Sequence, residues 1–324
     1  MAQRRIGSYR LVRPFPVASP SSRLFMARHE DDDERLPPRF VAKIGDLGGE
    51  DDAARVRRAC LQHEARLSRA FNHAGIVAAH HDEVVDGAQV LILDYVEGID
   101  LAALLGHGGD AGQAVALPKE LAVYIMGQLA DALHYVHGAE VTNDDGDVVP
   151  LGALHRDLCP ANVLLSVEGD VLLADFGSAT SIWLDDHAVT KRAGHVAYMA
   201  PERVTGTGEA SQKSDLFALA VILWEMLRGQ RCFEAQDELK TMDAISRFDI
   251  SHASRRVTGI SSKLSEILRK NLDRDPERRY TGAYQMLQRL AQAPEAAKAE
   301  QSRTALGEMV DARLDHGFDA AGER

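Results

Sequence analysis

Long apolar runs are missing from this sequence: nothing in it approaches the ~18 consecutive apolar residues of a membrane-spanning helix. The opening, MAQRRIGSYR, lacks the apolar stretch of a signal peptide. Cysteine is scarce. Cys60, Cys159 and Cys232 stand far apart with no C-x-x-C pair, so their spacing suggests neither a disulfide framework nor a zinc site. Positive charge is in deficit: 37 Lys and Arg face 49 Asp and Glu, and the net charge of −12 argues against nucleic acid or an anionic membrane as main partner. Repeats are absent. These absences lead to the expectation of a soluble, cytoplasmic protein. What is present is bulk: 324 residues, 45% of them hydrophobic, are enough to bury a large core, as one bilobal unit or two lobes.

The most informative stretch runs from Leu154 to Gly177. LLSV and VLLA read as two short buried strands joined by a turn at Glu168-Gly169-Asp170. Three polar side chains, Asp157, Asn162 and Asp175, punctuate this otherwise apolar sequence and are placed to converge on one cleft. Asn162 and Asp175 offer oxygen ligands suited to Mg²⁺, which binds through few protein groups plus substrate phosphates. Asp157 is then left to accept or orient a hydroxyl proton.

His155-Arg156-Asp157-Leu158-Cys159-Pro160-Ala161-Asn162, then Asp175-Phe176-Gly177, then Met199-Ala200-Pro201-Glu202, resembles the protein-kinase signature set in order and spacing. The resemblance runs from about Tyr9 to about Leu290 and is closest to eukaryotic-like bacterial Ser/Thr protein kinases. It implies an α+β, bilobal fold over residues 7–293. A small antiparallel β-sheet lobe with one long helix would occupy about 7–96, and a mainly α-helical lobe about 97–293. Residues 294–324 form a charged, alanine-rich tail whose Leu306, Met309, Val310 and Leu314 make one apolar stripe, open to being either a docking helix or a frayed end.

In the first lobe, Tyr9–Val12 and Arg23–Arg28 read as strands around the turn PFPVASPSS. Kinases carry glycines in this turn so that backbone N–H groups approach the ATP phosphates. Here there are none, and prolines at 14, 16 and 20 remove donors. Val17 is the residue of this turn expected over the adenine. Residues 39–44 form the next strand, and the resemblance makes Lys43 the partner of the ATP phosphates. Asp51 to Phe71 reads as a helix, with Val56, Cys60, Leu67 and Phe71 toward one face. On it, Glu64 would pair with Lys43, while Ser68 replaces a large apolar residue of the family's hydrophobic stack. Val84-Val85, Asp86-Gly87 and Gln89–Leu93 read as a hairpin leading to a hinge at Asp94–Gly98. The resemblance implies adenine contacts from the backbone of Asp94 and Val96 and from Leu164, and ribose contact from Asp100.

In the second lobe, Pro118–Gly138 reads as an amphipathic helix. Its His134 and His137 have metal-compatible spacing but no third ligand, so packing or surface roles are expected of them. Glu140–Gly152 reads as a polar connector, and 234–250 and 261–272 as helices. The resemblance implies that Glu202 pairs with Arg279 and that Asp215 braces the catalytic loop. Two positions depart from Ser/Thr kinases together: Cys159 stands where lysine is usual, and His195 where threonine is usual. His195 is expected to supply positive charge beside Asp157, with activity following a protonation near neutrality. A Cys159–His195 pair as a reactive thiolate stays open beside a merely packed cysteine. Arg156 marks kinases that can be switched by phosphorylation of the loop before Met199, with Thr190 first among the candidates and Ser178, Thr180 and Ser181 following; a loop ordered without phosphate stays equally open.

The expected activity is transfer of the ATP γ-phosphoryl group, with Mg²⁺, to a protein Ser or Thr hydroxyl. Catalysis would be carried by Lys43, Glu64, Asp157, Asn162 and Asp175, assisted by His195. The expected partner is a protein substrate, with dimerisation serving phosphorylation of one copy's loop by another; no nucleic acid and no membrane insertion are expected. The alternative is a pseudokinase, a binding or scaffold protein with weak or no nucleotide turnover, favoured by the glycine-free turn, Cys159, His195 and Ser68.

Overall fold

Alternating side chains decide the first part of the chain. In a computed structural model, which describes residues 5–15, 23–49, 51–107, 115–143, 145–184, 194–233, 237–248 and 256–321 (side chains to 315), it forms β1 (Arg5–Ile6), β2 (Tyr9–Pro14), β3 (Arg23–His29), β4 (Phe40–Asp46), α1 (Asp52–Ala70), β5 (Ala79–Val85) and β6 (Ala88–Asp94). The six strands make one antiparallel sheet in the order β1-β2-β3-β4-β6-β5. Phe40, Ala42 and Ile44 of β4 bury into a core with Ile6, Tyr9, Ala27, Val90 and Ile92. The period of two then sends Lys43 to the opposite face. The β5–β6 turn is Asp86-Gly87, both residues at positive φ (49° and 74°), as a two-residue hairpin turn requires. Asp51 caps α1 by accepting the Ala54 N–H at 2.7 Å.

Beyond the hinge come β7 (Gly98–Asp100), α2 (Leu101–Leu104), α3 (Lys119–His137), β8 (Glu140–Thr142), β9 (Val148–Pro150), β10 (Val163–Ser166), β11 (Val171–Leu173), α4 (Pro201–Thr205), α5 (Gln212–Arg228), α6 (Glu238–Ser246), α7 (Ser262–Asn271), α8 (Ala283–Ala291) and α9 (Ala299–Ala321). α5 is apolar all round from Leu216 to Trp224, and every residue of that run is buried. A helix with no polar face belongs in the middle, and α3 packs between α5, α8 and α9. β10 pairs with both β7 and β11 in a small antiparallel sheet.

Three segments differ from, or settle, the sequence reading. The helix expected over 234–250 is described only as α6, whose start is set by Asp237 accepting the Lys240 N–H at 2.8 Å; 234–236 and 249–250 lie outside the described residues. The connector Glu140–Gly152 contains the β8–β9 hairpin. Its turn is held by Asn143 Oδ1, which accepts the N–H groups of Asp145 (3.1 Å) and Asp147 (2.8 Å), a device that leaves no alternating pattern in the sequence. The C-terminal stripe belongs to a docked helix. Leu306 and Val310 of α9 are fully buried, with Met309 and Leu314 packed on the same core as α3 and α5. α9 lies against β7 and β10. The approach is close at Gly169 (φ 82°), where a Cβ would stand 2.0 Å from the Arg303 carbonyl oxygen.

Candidate active site

The site forms where β4 and α1 face the ends of β10 and β11. The Lys43 ammonium lies 2.6 Å from Glu64 Oε1 and 2.9 Å from Asp175 Oδ1. Burial works against the lysine's charge, but the carboxylates of Glu64 and Asp175 outweigh it and hold its pKa well above the usual lysine range. For Asp175, burial pushes the carboxyl up; Lys43 and the Gly177 N–H (3.1 Å) outweigh this and bring it below the usual range. Asp175 sits at φ 63°, a left-handed conformation costly for a side-chain-bearing residue. Those two partners hold it there.

Asp157 is placed by its neighbours. Asp215, buried at the start of α5, accepts the His155 N–H and the Arg156 N–H at 3.0 Å each, and His137 Nε2 lies 2.9 Å from the same carboxylate. This clamp stabilises Arg156 at φ 66° and is the brace expected of Asp215. Burial pushes the Asp215 carboxyl up, but His137 and the backbone donors bring it below its usual range. His137 is thus a buried partner of Asp215 rather than a metal ligand, while His134 packs, its ring 5.0 Å from that of Tyr284. Asn162 Nδ2 donates to the Asp157 carbonyl at 2.8 Å, which leaves its Oδ1 as the oxygen it can offer a cation. Asn162 and Asp175 thus present one amide oxygen and one carboxylate, a hard-oxygen pair that fits magnesium.

His195 reaches Asp157 twice. Its N–H donates to Asp157 Oδ1 at 2.9 Å and its Nδ1 lies 2.7 Å from the same oxygen. Gly194 makes this possible: at φ 107°, a Cβ there would meet the Arg156 carbonyl oxygen at 2.5 Å. Both contacts fall on Oδ1, so Oδ2 is the oxygen left to receive a hydroxyl proton. The bond to Asp157 and the contact with Cys159 raise the His195 pKa to about 10 against the effect of burial. The expectation of a protonation near neutrality is corrected on that ground: the carboxylate holds the proton across the neutral range. Cys159, 1% exposed, points its Sγ at His195 Nδ1 at 3.5 Å.

The stack expected to be loosened at Ser68 is instead carried by Phe71, at the end of α1. Its ring lies 5.0 Å from Phe176, which lies 5.0 Å from His155. Ser68 is buried beside it, and Glu64 still reaches Lys43. His155 Nε2 donates to the Ala174 carbonyl at 3.2 Å while Nδ1 accepts the Asp157 N–H at 3.3 Å, tying the two halves of the site together. The sequence reading placed Phe71 on an apolar face and His155 in the motif but foresaw neither their contacts with Phe176 nor the bond from His137 to Asp215; the seven-residue spacing of Phe71 from Glu64, two helical turns, was the available signal for the first.

Other expected residues sit as follows. Asp94 ends β6, and among the described residues the Val96 N–H and carbonyl make no hydrogen bond, leaving both for a ligand. Leu164 stands opposite Asp100 across β10 and β7, on the face away from the buried Val163 and Leu165. Asp100 caps α2 through Oδ1, accepting the Ala103 N–H at 2.7 Å. Glu202 and Arg279 form the expected buried pair at 2.7 and 2.8 Å. Thr180 is held by backbone bonds to Leu154, and Ser181 Oγ lies 2.8 Å from His63 Nε2 of α1. Ser178 is half-buried just after Gly177. Val17 and Thr190 lie outside the described residues.

Comparison with known proteins gives one family. The model of the protein kinase domain matches residues 33–291. The tyrosine-protein kinase MasK of Myxococcus xanthus is 33% identical over 227 residues, covering 69% of this chain and 34% of its own. The serine/threonine-protein kinase PknE of Mycobacterium tuberculosis is 31% identical over 228 residues, covering 69% of this chain and 36% of its own. The serine/threonine-protein kinase PknJ of Mycobacterium tuberculosis is 31% identical over 269 residues, covering 80% of this chain and 41% of its own. The chain thus spans well under half the length of these relatives.

Proposed function

The chain belongs to the protein kinase family, and on that premise we propose that it transfers the γ-phosphoryl group of ATP to a serine or threonine hydroxyl of a protein. One observation carries this reading: Lys43 touches Glu64 and Asp175 at once, so the small lobe, α1 and the Asp175 turn are already in the arrangement that the chemistry needs. A scaffold would not require that pair of contacts.

Each residue then has a task. Lys43, steadied by Glu64, neutralises the non-transferred phosphates. The Asp94 carbonyl and the Val96 backbone take the adenine edge, with Leu164 beneath it. Asn162 and Asp175 would hold magnesium, which when bound would supply charge neutralisation on the phosphates. Asp157 Oδ2 orients the incoming hydroxyl and receives its proton. The His195 cation stands beside it, at the position where threonine is usual, and offsets charge on the group in flight in place of the lysine that Cys159 replaces. Ser178 and Thr190 remain the favoured sites of loop phosphorylation, with dimerisation bringing one copy's loop to another's site; Thr180 and Ser181 are the less favoured because their backbone or hydroxyl is engaged. Among the described residues no helix is long and apolar enough to cross a membrane.

The test is single-turnover labelling with Mg²⁺ and γ-labelled ATP, comparing wild type with Asp157→Asn and Lys43→Met. Label on wild type should fall about 100-fold or more in both variants and appear on Ser or Thr. Label on tyrosine would correct the substrate class. Equal label in all three proteins, or no label and no Mg²⁺·ATP-dependent rise in Tm, would remove the proposal.

A further inference from the structure

The thiol of Cys159, the imidazole of His195 and the carboxylate of Asp157 meet at one point. Their ligand atoms all lie within 4.8 Å of one another, and among the described residues no other three His, Cys, Asp or Glu groups do this. A relay that turns Cys159 into a nucleophile does not fit. Such a relay needs the sulfur on one ring nitrogen and the carboxylate on the other. Here both face Nδ1, the sulfur at 3.5 Å and Asp157 Oδ1 at 2.7 Å. A nitrogen whose proton is held by the carboxylate has no lone pair for the thiol proton. Three donors converging on one position are what coordination asks for instead.

The distances agree. A tetrahedral zinc ion with Zn–S of ~2.3 Å and Zn–N of ~2.0 Å sets sulfur and nitrogen ~3.5 Å apart, the separation already present between Sγ and Nδ1. The nitrogen–oxygen edge of the same tetrahedron is ~3.3 Å, so the 2.7 Å contact between His195 and Asp157 has to open slightly. The His195 side chain is 57% exposed and able to make that adjustment. Cys159 is fixed in the wall, so the sulfur is the anchored ligand and the imidazole closes from the solvent side. Donor chemistry separates this trio from the Asn162–Asp175 pair: thiolate and imidazole select a zinc-class ion, whereas magnesium prefers oxygen alone.

We infer that Asp157, Cys159 and His195 form a site for a zinc-class divalent cation, with water as fourth ligand, which reversibly takes the catalytic base out of use. The regulatory part rests on the kinase reading; the binding part does not. Binding exchanges protons for metal without electron transfer. The thiol proton and the Nδ1 proton pass to solvent, and the carboxylate binds as it stands.

Cobalt(II) titration of the full chain, stripped of metal, tests this. Wild type should develop thiolate-to-metal absorption in the near ultraviolet, saturating at one equivalent and displaced by Zn²⁺. Cys159→Ser should lose that band, and His195→Gln should weaken Zn²⁺ binding at least about tenfold. Lys43→Met, expected to lose transfer, should bind as wild type does. With Mg²⁺ in excess, Zn²⁺ should stop transfer by wild type and a zinc-selective chelator should restore it. No band in wild type, or a band that survives Cys159→Ser and so belongs to Cys60 or Cys232, overturns the site. A band of the right stoichiometry in a wild-type chain that transfers nothing supports the site and counts against the kinase reading alone.

Discussion

Replacing Leu306 by alanine tests whether α9 is an integral part of the large lobe. The side chain is fully buried, so the whole transfer free energy of the three lost carbons applies, about 2.4 kcal/mol at ~0.8 kcal/mol per carbon. A cavity contribution adds to it, because the helix cannot slide to fill the space. A Cβ added at Gly307 would stand 2.5 Å from the Val167 carbonyl oxygen, and one at Gly169 would stand 2.0 Å from the Arg303 carbonyl oxygen, so backbone meets backbone where α9 crosses the β10–β11 turn. Leu→Ala changes at sites that cannot collapse cost ~3–5 kcal/mol, and the expected loss for Leu306→Ala is about 3–4 kcal/mol. Equilibrium urea unfolding, followed by circular dichroism, reads this as a lower midpoint. Glu308→Ala, at an exposed position on the same helix, is the control and should stay within about 0.5 kcal/mol. If Leu306→Ala shifts the midpoint no more than Glu308→Ala does, α9 is not held on the lobe in solution and the docking argument is wrong. Arg303–Asp170, the ion pair joining α9 to the β10–β11 turn at 2.8 Å, is half-exposed on both sides. Its removal should cost less than about 1 kcal/mol, which separates apolar burial from charge as the cause.

Arg279→Met should destabilise by about 3–5 kcal/mol in the same assay, because it strands the buried Glu202 carboxylate and removes donors from the Asp273 and Lys213 carbonyls; a loss under about 1 kcal/mol would mean that the pair contributes nothing specific. His63 carries the pH dependence that can be read most directly. Burial, followed by the nearby Arg66, lowers its pKa from 6.5 to about 4. Between those values the unfolded chain binds a proton that the folded chain refuses, so His63's contribution to stability is full above about pH 6.5, declines as pH falls toward about 4, and is flat below. His63→Gln, which keeps a partner for Ser181, should flatten ΔG between pH 6.5 and 4; an unchanged slope would place the dependence elsewhere. Glu64→Gln should lower the rate of transfer while leaving Tm within a few degrees, since the amide keeps the volume but not the charge that steadies Lys43; a variant as fast as wild type would show that the ion pair is not needed for catalysis.

Much of the site was legible because its signals are local. The apolar strands around Asn162 and Asp175, the Asp86-Gly87 hairpin and the helix beginning at Asp51 each follow from a period or a turn residue within a few positions. The motif order then carried Lys43, Glu64 and Asp157 to their roles, and the structure brings Lys43 to both Glu64 and Asp175 across 132 residues of chain. The Glu202–Arg279 pair and the Asp215 brace followed in the same way.

Side-chain partners without a motif were not legible. Nothing in the sequence says that Phe71 rather than Ser68 meets Phe176 or that His137 completes the Asp215 clamp, and the stripe of Leu306 and Val310 left docking and fraying equally open until its burial beside α3 decided it. The cysteine count pointed away from metal, because spacing along the chain is the only evidence it offers; Cys159 and His195, 36 residues apart, converge through the backbone at Gly194. Sequence alone determined which groups the protein has and the elements that carry them, since propensity and period act over a few residues. Tertiary structure decided which of those groups share one nitrogen, one carboxylate oxygen or one buried wall, because such contacts depend on packing between segments that the chain keeps far apart.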